Sequence, residues 1–378
     1  MQLKRFIQQE AVLSVAIVLA VMSSFFVYPD SQYIDYIDFR TLGILFSLMT
    51  VMAGLGRQGM FDRMGQALLA RTDGALQLVL VLVGLCFFGS MFITNDVALM
   101  TFVPFTFAVL SNLGEQMRHR LAIPVVCMQT IAANLGSMLT PIGNPQNLYL
   151  YSKSSMSLAQ FVGLMLPYTV VSLVLLTAWA VLLCRGLGEK LSELTVTEQK
   201  QGSFDKKIVL LYVTLFVICL LAVIHILPYG IVFAIVLVCT FFVDRITLRR
   251  VDYSLLLTFV AFFIFIGNLG RVPAFSSWLQ EIISGREVPV AVLASQITSN
   301  VPAALLLSGF TQNIKALVIG TNLGGLGTLI ASMASLISYR FYGKAYPKRK
   351  REYFKQFTIY NVILLIIISM LVIFLKII

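Results

Sequence analysis

Residues 75–113 read ALQLVLVLVGLCFFGSMFITNDVALMTFVPFTFAVLSNL. Two apolar arms enclose the polar string Ile93-Thr94-Asn95-Asp96-Val97, which predicts a helical hairpin with a polar tip set in a nonpolar surround. A second, shorter version, EVPVAVLASQITSNVPAALLLSGF, occupies 287–310 around Ile297-Thr298-Ser299-Asn300-Val301-Pro302. At about 1.5 Å per helical residue its arms are too short to cross a bilayer core of about 30 Å twice. Such an element enters and leaves on the same side. Backbone left open inside lipid is tolerated only where protein or a water-filled cavity satisfies it.

Working outward, the segments 121–150 and 313–340 are apolar but interrupted in the middle by Gly, Pro, Asn and Thr, and read as broken helices. In the first, Pro141 and Pro145 remove donors, and Gly136 and Gly143 permit left-handed backbone. Plain spanning helices are expected near 11–28, 41–56, 158–184, 207–227, 229–243, 251–270 and 356–378. With each broken segment counted once, about nine passes result. Composition agrees: 58% of the 378 residues are hydrophobic and 12% charged, about half the charge of a soluble domain, and mean hydropathy is +0.89. The first apolar run lacks a small-residue cleavage site and reads as a retained helix.

The formal charge of +11 sits between apolar runs and so encodes orientation rather than nucleic-acid binding. Lys4 and Arg5 place the N-terminus in the cytoplasm, and Asp30, Asp35 and Asp38 suit the outside. Arg57, Arg63 and Arg71, then Arg118 and Arg120, the linker 185–206, the turn 244–250 and the basic cluster 340–355 all fall on the cytoplasmic side of a nine-pass layout. The C-terminus is then outside. Five cysteines, Cys86, Cys127, Cys184, Cys219 and Cys239, lie in apolar runs without metal-ligand spacing and read as inert buried thiols.

Three blocks recur in order. Leu55-Gly56-Arg57 with Phe61 returns as Leu269-Gly270-Arg271 with Phe275. Ile93-Thr94 with Val97 returns as Ile297-Thr298 with Val301. Asn134-Leu135-Gly136 with Thr140 and Ile142 returns as Asn322-Leu323-Gly324 with Thr328 and Ile330. Five passes separate the copies, and an odd number inverts the second. The expected organisation is a first repeat over 1–184, with the N-terminal helix, hairpin 75–113 and broken helix 121–150. A cytoplasmic linker, 185–206, leads to a second, inverted repeat over 207–378, with hairpin 287–310 and broken helix 313–340. The fold class is an all-α polytopic membrane protein with an inverted-repeat transporter fold.

The tips carry the chemistry. Oxygens of Thr94, Asn95 and Asp96, and of Thr298, Ser299 and Asn300, can coordinate Na⁺ at a helix break, while the next half-helix presents its positive end to an anion. Helix capping alone is the competing role for such residues. Asp96, the acid at the first tip, is a functional candidate because a carboxylate in lipid is costly; in this alignment its counterpart is Asn300. The stretch Thr140–Asn147 adds the amides of Asn144, Gln146 and Asn147. Arg57 and Arg271 sit at matching helix ends, as anchors or gate residues.

At these positions the sequence resembles the ion transporter superfamily, which includes citrate-type and divalent-anion/Na⁺ symporters, arsenite permeases and D-type Na⁺/H⁺ antiporters. The matching motifs are Thr94-Asn95-Asp96-Val97-Ala98-Leu99, Asn134-Leu135-Gly136, Thr140-Pro141-Ile142-Gly143-Asn144-Pro145 and Thr298-Ser299-Asn300-Val301-Pro302. The resemblance implies two hairpin tips and an unwound helix around one site, moved elevator-fashion against a scaffold. Carried over by position, it implies that Thr94, Asn95, Asp96, Gly143, Asn144, Asn147, Ser299, Asn300 and Thr328 line the ion and substrate sites, with Na⁺ at Thr94, Asn95 and Asp96 and at Ser299 and Asn300. Scaffold dimers are usual in that family, so the resemblance also implies a homodimer. Dicarboxylate symporters carry Ser-Asn-Thr at both tips, where this chain has Thr-Asn-Asp and Thr-Ser-Asn. Arsenite-permease-like members have Gly-Asp-Pro-Pro-Asn where it reads Gly143-Asn144-Pro145-Gln146-Asn147.

The expected function is a secondary active transporter of a small anion or oxyacid, a di- or tricarboxylate such as citrate or an arsenite-like species. Its coupling ion is Na⁺ or H⁺, and no other cofactor is expected. A Na⁺/H⁺ antiporter without organic substrate is the alternative in the same class. An intramembrane enzyme is the remote one, since zincin motifs and a Gly-x-Ser-x-Gly elbow are absent from the sequence. A primary pump is disfavoured because no phosphate-binding loop appears. Expected partners are the solute and membrane lipid, in the cell membrane, and not nucleic acid.

Overall fold

Apolar runs in this chain end at Asp, Ser, Asn or Pro, and those residues set where each helix begins. The structure, a computed structural model, describes residues 10–69, 72–185 and 204–375. Lys4, Arg5, Arg71 and most of the expected linker 185–206 lie outside the described residues. The first half contains α1 (Ala11–Ser24), the short α2 (Gln32–Asp35), α3 (Phe39–Arg57), α4 (Met60–Leu69), α5 (Ala75–Gly89), α6 (Asn95–Ser111), α7 (Glu115–Ser137), α8 (Pro145–Lys153) and α9 (Leu158–Cys184). Then come α10 (Lys206–Val223), α11 (Tyr229–Leu248), α12 (Tyr253–Gly270), α13 (Pro273–Ile283), α14 (Glu287–Thr298), α15 (Asn300–Leu307), α16 (Ile314–Leu323), α17 (Met333–Ala345) and α18 (Lys350–Phe374).

By length and composition six helical stretches among the described residues can cross a bilayer: α3, α9, α10, α11, α12 and Pro347–Phe374, which ends in α18. The chain is an all-α polytopic membrane protein. The expected span 11–28 is shorter, a 14-residue helix followed by a turn, about 21 Å at 1.5 Å per residue. The hairpin arms, with 15 and 17 residues in α5 and α6 and 12 and 8 in α14 and α15, are likewise shorter than a crossing. Two short amphipathic helices that the sequence reading did not mark, α4 and α13, join α3 to α5 and α12 to α14. α4 buries Phe61, Gly65 and Leu69, one position per turn.

Helices α3–α9 and α12–α18 follow the same succession: long helix, short connector, two-armed hairpin, helix, break, helix, long helix. Their caps match in detail. Asp38 caps α3 with φ −78° and ψ 85°, and Asp252 caps α12 with φ −78° and ψ 82°. Each carboxylate accepts the N–H three residues on, from Thr41 and from Leu255, both at 2.9 Å. The preceding helices are exchanged, since α1 packs on α12 and α11 packs on α3.

The same exchange links two arginine–aspartate pairs. Arg57, ending α3, pairs with the buried Asp244 of α11, which also accepts from Tyr212 Oη at 3.2 Å and Thr247 Oγ1 at 2.7 Å. Arg271, following α12, pairs with Asp30 beyond α1 at 2.7 Å, on the surface. Both arginines therefore tie one half to the other, which adds a partner to the expected role of simple anchors.

Candidate functional site

The breaks bring the site together because each hands one carbonyl to the facing hairpin tip. The amide of Asn95 donates to Gly143 O at 3.1 Å, and that of Asn300 to Ala331 O at 2.9 Å. The next residue caps the following half-helix in each case: Asn144 with φ −143° and ψ 145°, Ser332 with φ −144° and ψ 139°. Backbone pairing therefore makes Asn300 the counterpart of Asn95, and Val301 that of Asp96. This corrects by one residue the match drawn from Ile93-Thr94 and Ile297-Thr298. The register shifts because Ser299 turns with φ 79°, whereas Thr94 stays extended at φ −61° and ψ 150°. A non-glycine residue in that region carries roughly 1–3 kcal/mol of strain.

The glycines also serve differently from expectation. Neither Gly136 nor Gly143 has positive φ. They permit close approach instead: a Cβ on Gly136 would lie 2.0 Å from Phe87 O, and one on Gly143 2.1 Å from Ser137 O. The break itself is shorter than expected. Helix α7 runs to Ser137 and α8 resumes at Pro145, whose missing donor costs nothing at a first helical position.

Asn95 and Asp96 of α6, Gln146 of α8, Ser299 and Asn300 at the second tip, and Ser332 line one cavity of about 100 Å³, several times what one water requires. Glu10, Asp252, Ser254 and Arg340 share its wall, and Glu10 accepts from Ser254 Oγ. Behind it runs an asparagine network. Asn134 Oδ1 accepts from Asn95 Nδ2 and from Ser332 Oγ, each at 3.0 Å. Asn322 Nδ2 donates to Asn147 Oδ1 at 2.7 Å, and Asn144 Nδ2 donates to Ser137 Oγ at 2.7 Å. Side chains of both halves are thereby fixed to one another beneath the tips.

Of the residues singled out in the sequence, Asn95, Asp96, Ser299 and Asn300 meet on the cavity. Gly143, Asn144 and Asn147 stand in the supporting network. Thr94 lines an adjoining cavity that shares Asp96 and Asp252. Thr298 is exposed and donates to Ala294 O at 3.0 Å. Thr328 is exposed and held by Gln296, its amide donating to Oε1 at 2.9 Å. These two lie away from the cavity. Ser332, Asn134 and Asn322 were missed as site residues, although Asn134 and Asn322 stand in the repeated block that was quoted. Glu10, Asp252 and Arg340 carried no local motif.

Several polar atoms here have no partner among the described residues. Asp96 Oδ1, Asn144 Oδ1 and both Nε2 and Oε1 of Gln146 are buried and unpaired, and Gln146 is 1% exposed. Leaving such a group unmet costs about 1–3 kcal/mol. Gln146 offers donors and an acceptor whichever way its amide is turned.

The citrate transporter family profile matches residues 7–316. The inner membrane protein YbiR of Escherichia coli (strain K12) is 30% identical over 342 residues, covering 89% of each chain. A protein named as an uncharacterized transporter in Methanocaldococcus jannaschii is 28% identical over 328 residues, 87% of each chain. The silicon efflux transporter LSI3 of Oryza sativa subsp. japonica is 35% identical over 138 residues, 36% of this chain and 27% of that protein. The chain belongs to the citrate transporter family and is a multi-pass membrane transporter rather than an enzyme.

Proposed function

We propose that the protein is a secondary active transporter of a small, hydroxyl-bearing oxyacid, bound between the two tips and coupled to H⁺ or Na⁺ at Asp96. The observation that carries this reading is Gln146: a buried amide on the cavity wall with both its donor and its acceptor unpartnered. A cation uses only oxygen acceptors. An unmet amide donor calls for a solute that brings oxygen acceptors, and the unmet oxygens of Gln146 and Asp96 call for its hydroxyl donors.

The charge of the wall selects among oxyacids. Among the described residues that line it, Glu10, Asp96 and Asp252 stand against one arginine, Arg340. Each pair of like charges about 8 Å apart costs about 2 kcal/mol at an effective dielectric of about 20. A di- or tricarboxylate accumulates several such costs, while an uncharged or singly charged oxyacid avoids most of them. The rice relative, named as a silicon efflux transporter, is in keeping with a solute of this kind. The excess of carboxylates also favours a second reading, Na⁺/H⁺ antiport through Asp96 without organic substrate.

The matched caps and breaks of the two halves support inverted repeats and an elevator-type cycle, in which the tips and breaks move against α1, α3, α10, α11 and α12. The distribution of basic residues supports a cytoplasmic N-terminus and an outside C-terminus, in the cell membrane. Uptake by reconstituted protein across carboxylates, silicate, arsenite and other oxyacids, with Na⁺ and pH gradients varied separately, tests the reading. Gradient-driven uptake of an uncharged oxyacid, reduced at least tenfold in Asp96→Asn, is expected. Na⁺-dependent proton flux without added solute identifies the antiporter instead, and preference for a tricarboxylate contradicts the cavity argument.

A further inference from the structure

The two halves differ at one matched place, where the long helix of the scaffold meets the helix that leaves the break. On one face this contact is made. Ser152 Oγ, near the end of α8, lies within hydrogen-bond distance of Tyr149 O at 2.8 Å, Thr41 Oγ1 at 2.9 Å and Asp38 Oδ2 at 3.3 Å, with one proton to share among them. Thr41 Oγ1 also donates to Asp38 Oδ2, at 2.5 Å. Nearby, Lys153 Nζ donates to Ser308 O at 2.9 Å, so the ends of α8 and α15 close over the same face. Leu148 and Tyr149, one turn back along α8, are buried.

On the other face the equivalent contact is unmade. Asp252 caps α12 as Asp38 caps α3, and Leu255 stands where Thr41 does. The helix caps Asn144 and Ser332 align α8 with α17, so Leu148, Tyr149 and Ser152 correspond to Leu336, Ile337 and Arg340. All five of these second-half residues, Asp252, Leu255, Leu336, Ile337 and Arg340, line the cavity. Arg340 is exposed and forms no ion pair among the described residues. The place held by a serine on the closed face is held here by an arginine that lines the same cavity as an aspartate.

We infer that Asp252 and Arg340 are a gate pair, which closes this face of the cavity when the two halves exchange conformations. It rests on the transport reading above and goes beyond it by naming the residues that shut the site. In the exchanged state α17 docks on the start of α12 as α8 now docks on the start of α3. Leu336 and Ile337 become buried, and the Asp38–Thr41–Ser152 contact opens. A hydrogen-bonded ion pair is stronger than the neutral–charged contact it mirrors, so the two faces do not close with equal strength.

The gate is tested by the rate at which a maleimide labels Leu336→Cys in purified protein. The background is Cys239→Ala, because Cys239 is the one partly exposed native thiol among five. Ser152→Ala weakens the closed face and slows labelling about threefold or more, as molecules pass to the state with this cavity shut. Adding Arg340→Gln or Asp252→Asn returns the rate to that of the parent. The charge-exchanged protein Asp252→Arg/Arg340→Asp, built on Ser152→Ala, stays slow. The inference is overturned if Ser152→Ala does not slow labelling, if the neutral variants leave it slow, or if the charge-exchanged protein labels as fast as they do. No solute enters this measurement. A chain that gates as described but carries no oxyacid therefore sinks only the proposed substrate, whereas one that carries it with labelling indifferent to these charges sinks only the gate.

Discussion

Thr94 and Ser299 hold the same place at the two hairpin tips and reach it by different backbone. Thr94 is extended at φ −61°, while Ser299 turns at φ 79°. Both deliver the following amide to a carbonyl of the facing break. The links explain the difference: residues 90–94 join α5 to α6, whereas Ser299 alone joins α14 to α15. A shorter link has less chain in which to reverse and concentrates the turn in one strained residue. The two halves thus share a backbone frame and differ in the side chains set on it. Asp96 and Gln146 belong to the first half, and Val301 and Ala334 stand in the corresponding places of the second.

The frame is most easily broken at its close approaches. Gly136→Ala and Gly143→Ala each drive a Cβ into backbone at about 2 Å and should cost about 3 kcal/mol or more, seen as loss of monodisperse protein in size-exclusion chromatography. Gly325→Ala in the second half meets the Asn300 amide at 3.1 Å and the Asn322 carbonyl oxygen at 3.2 Å, far milder approaches, and should remain folded. Next in size is Asn134→Ala, which strips the acceptor shared by Asn95 and Ser332. A fall of about 2 kcal/mol in unfolding free energy is expected, and an unchanged midpoint in chemical denaturation would show that the network is not under load.

The smallest effects separate the tips themselves. Ser299→Gly should raise stability by about 1 kcal/mol by relieving the positive φ, whereas Thr94→Gly should lower it by a few tenths to about 1 kcal/mol. Equal responses in thermal unfolding would mean that the two turns are not distinguished by strain.

Much of this frame was legible in the sequence, for identifiable reasons. Polar triplets between apolar arms have few structural uses in lipid, so Thr94–Asp96 and Thr298–Asn300 marked the tips. The prolines around Ile142 marked the first break. What escaped depended on geometry that strings do not carry. The one-residue register between tips is set by the torsion at Ser299, and matching letters placed it on Ile297-Thr298 instead. Helices α4 and α13 are amphipathic rather than uniformly apolar and too short to cross lipid, so neither stands out among the spanning runs. Thr328 repeats Thr140 in sequence, but Gln296 holds it outside the cavity. Arg340 read as part of the basic orientation cluster and Asp252 carried no motif, and only the alignment of the four helix caps matches them as a pair.

The account depends on Gln146 being unpartnered so that a solute can satisfy it. Gln146→Leu removes a buried amide that makes no hydrogen bond among the described residues, so the variant should be as stable as the parent or up to about 1 kcal/mol more so. The decisive measurement compares thermal unfolding of both proteins with and without the transported oxyacid. At 100 times its dissociation constant the solute should stabilise the parent by about 2.7 kcal/mol and leave Gln146→Leu nearly unmoved. Equal stabilisation of the two proteins would contradict the site.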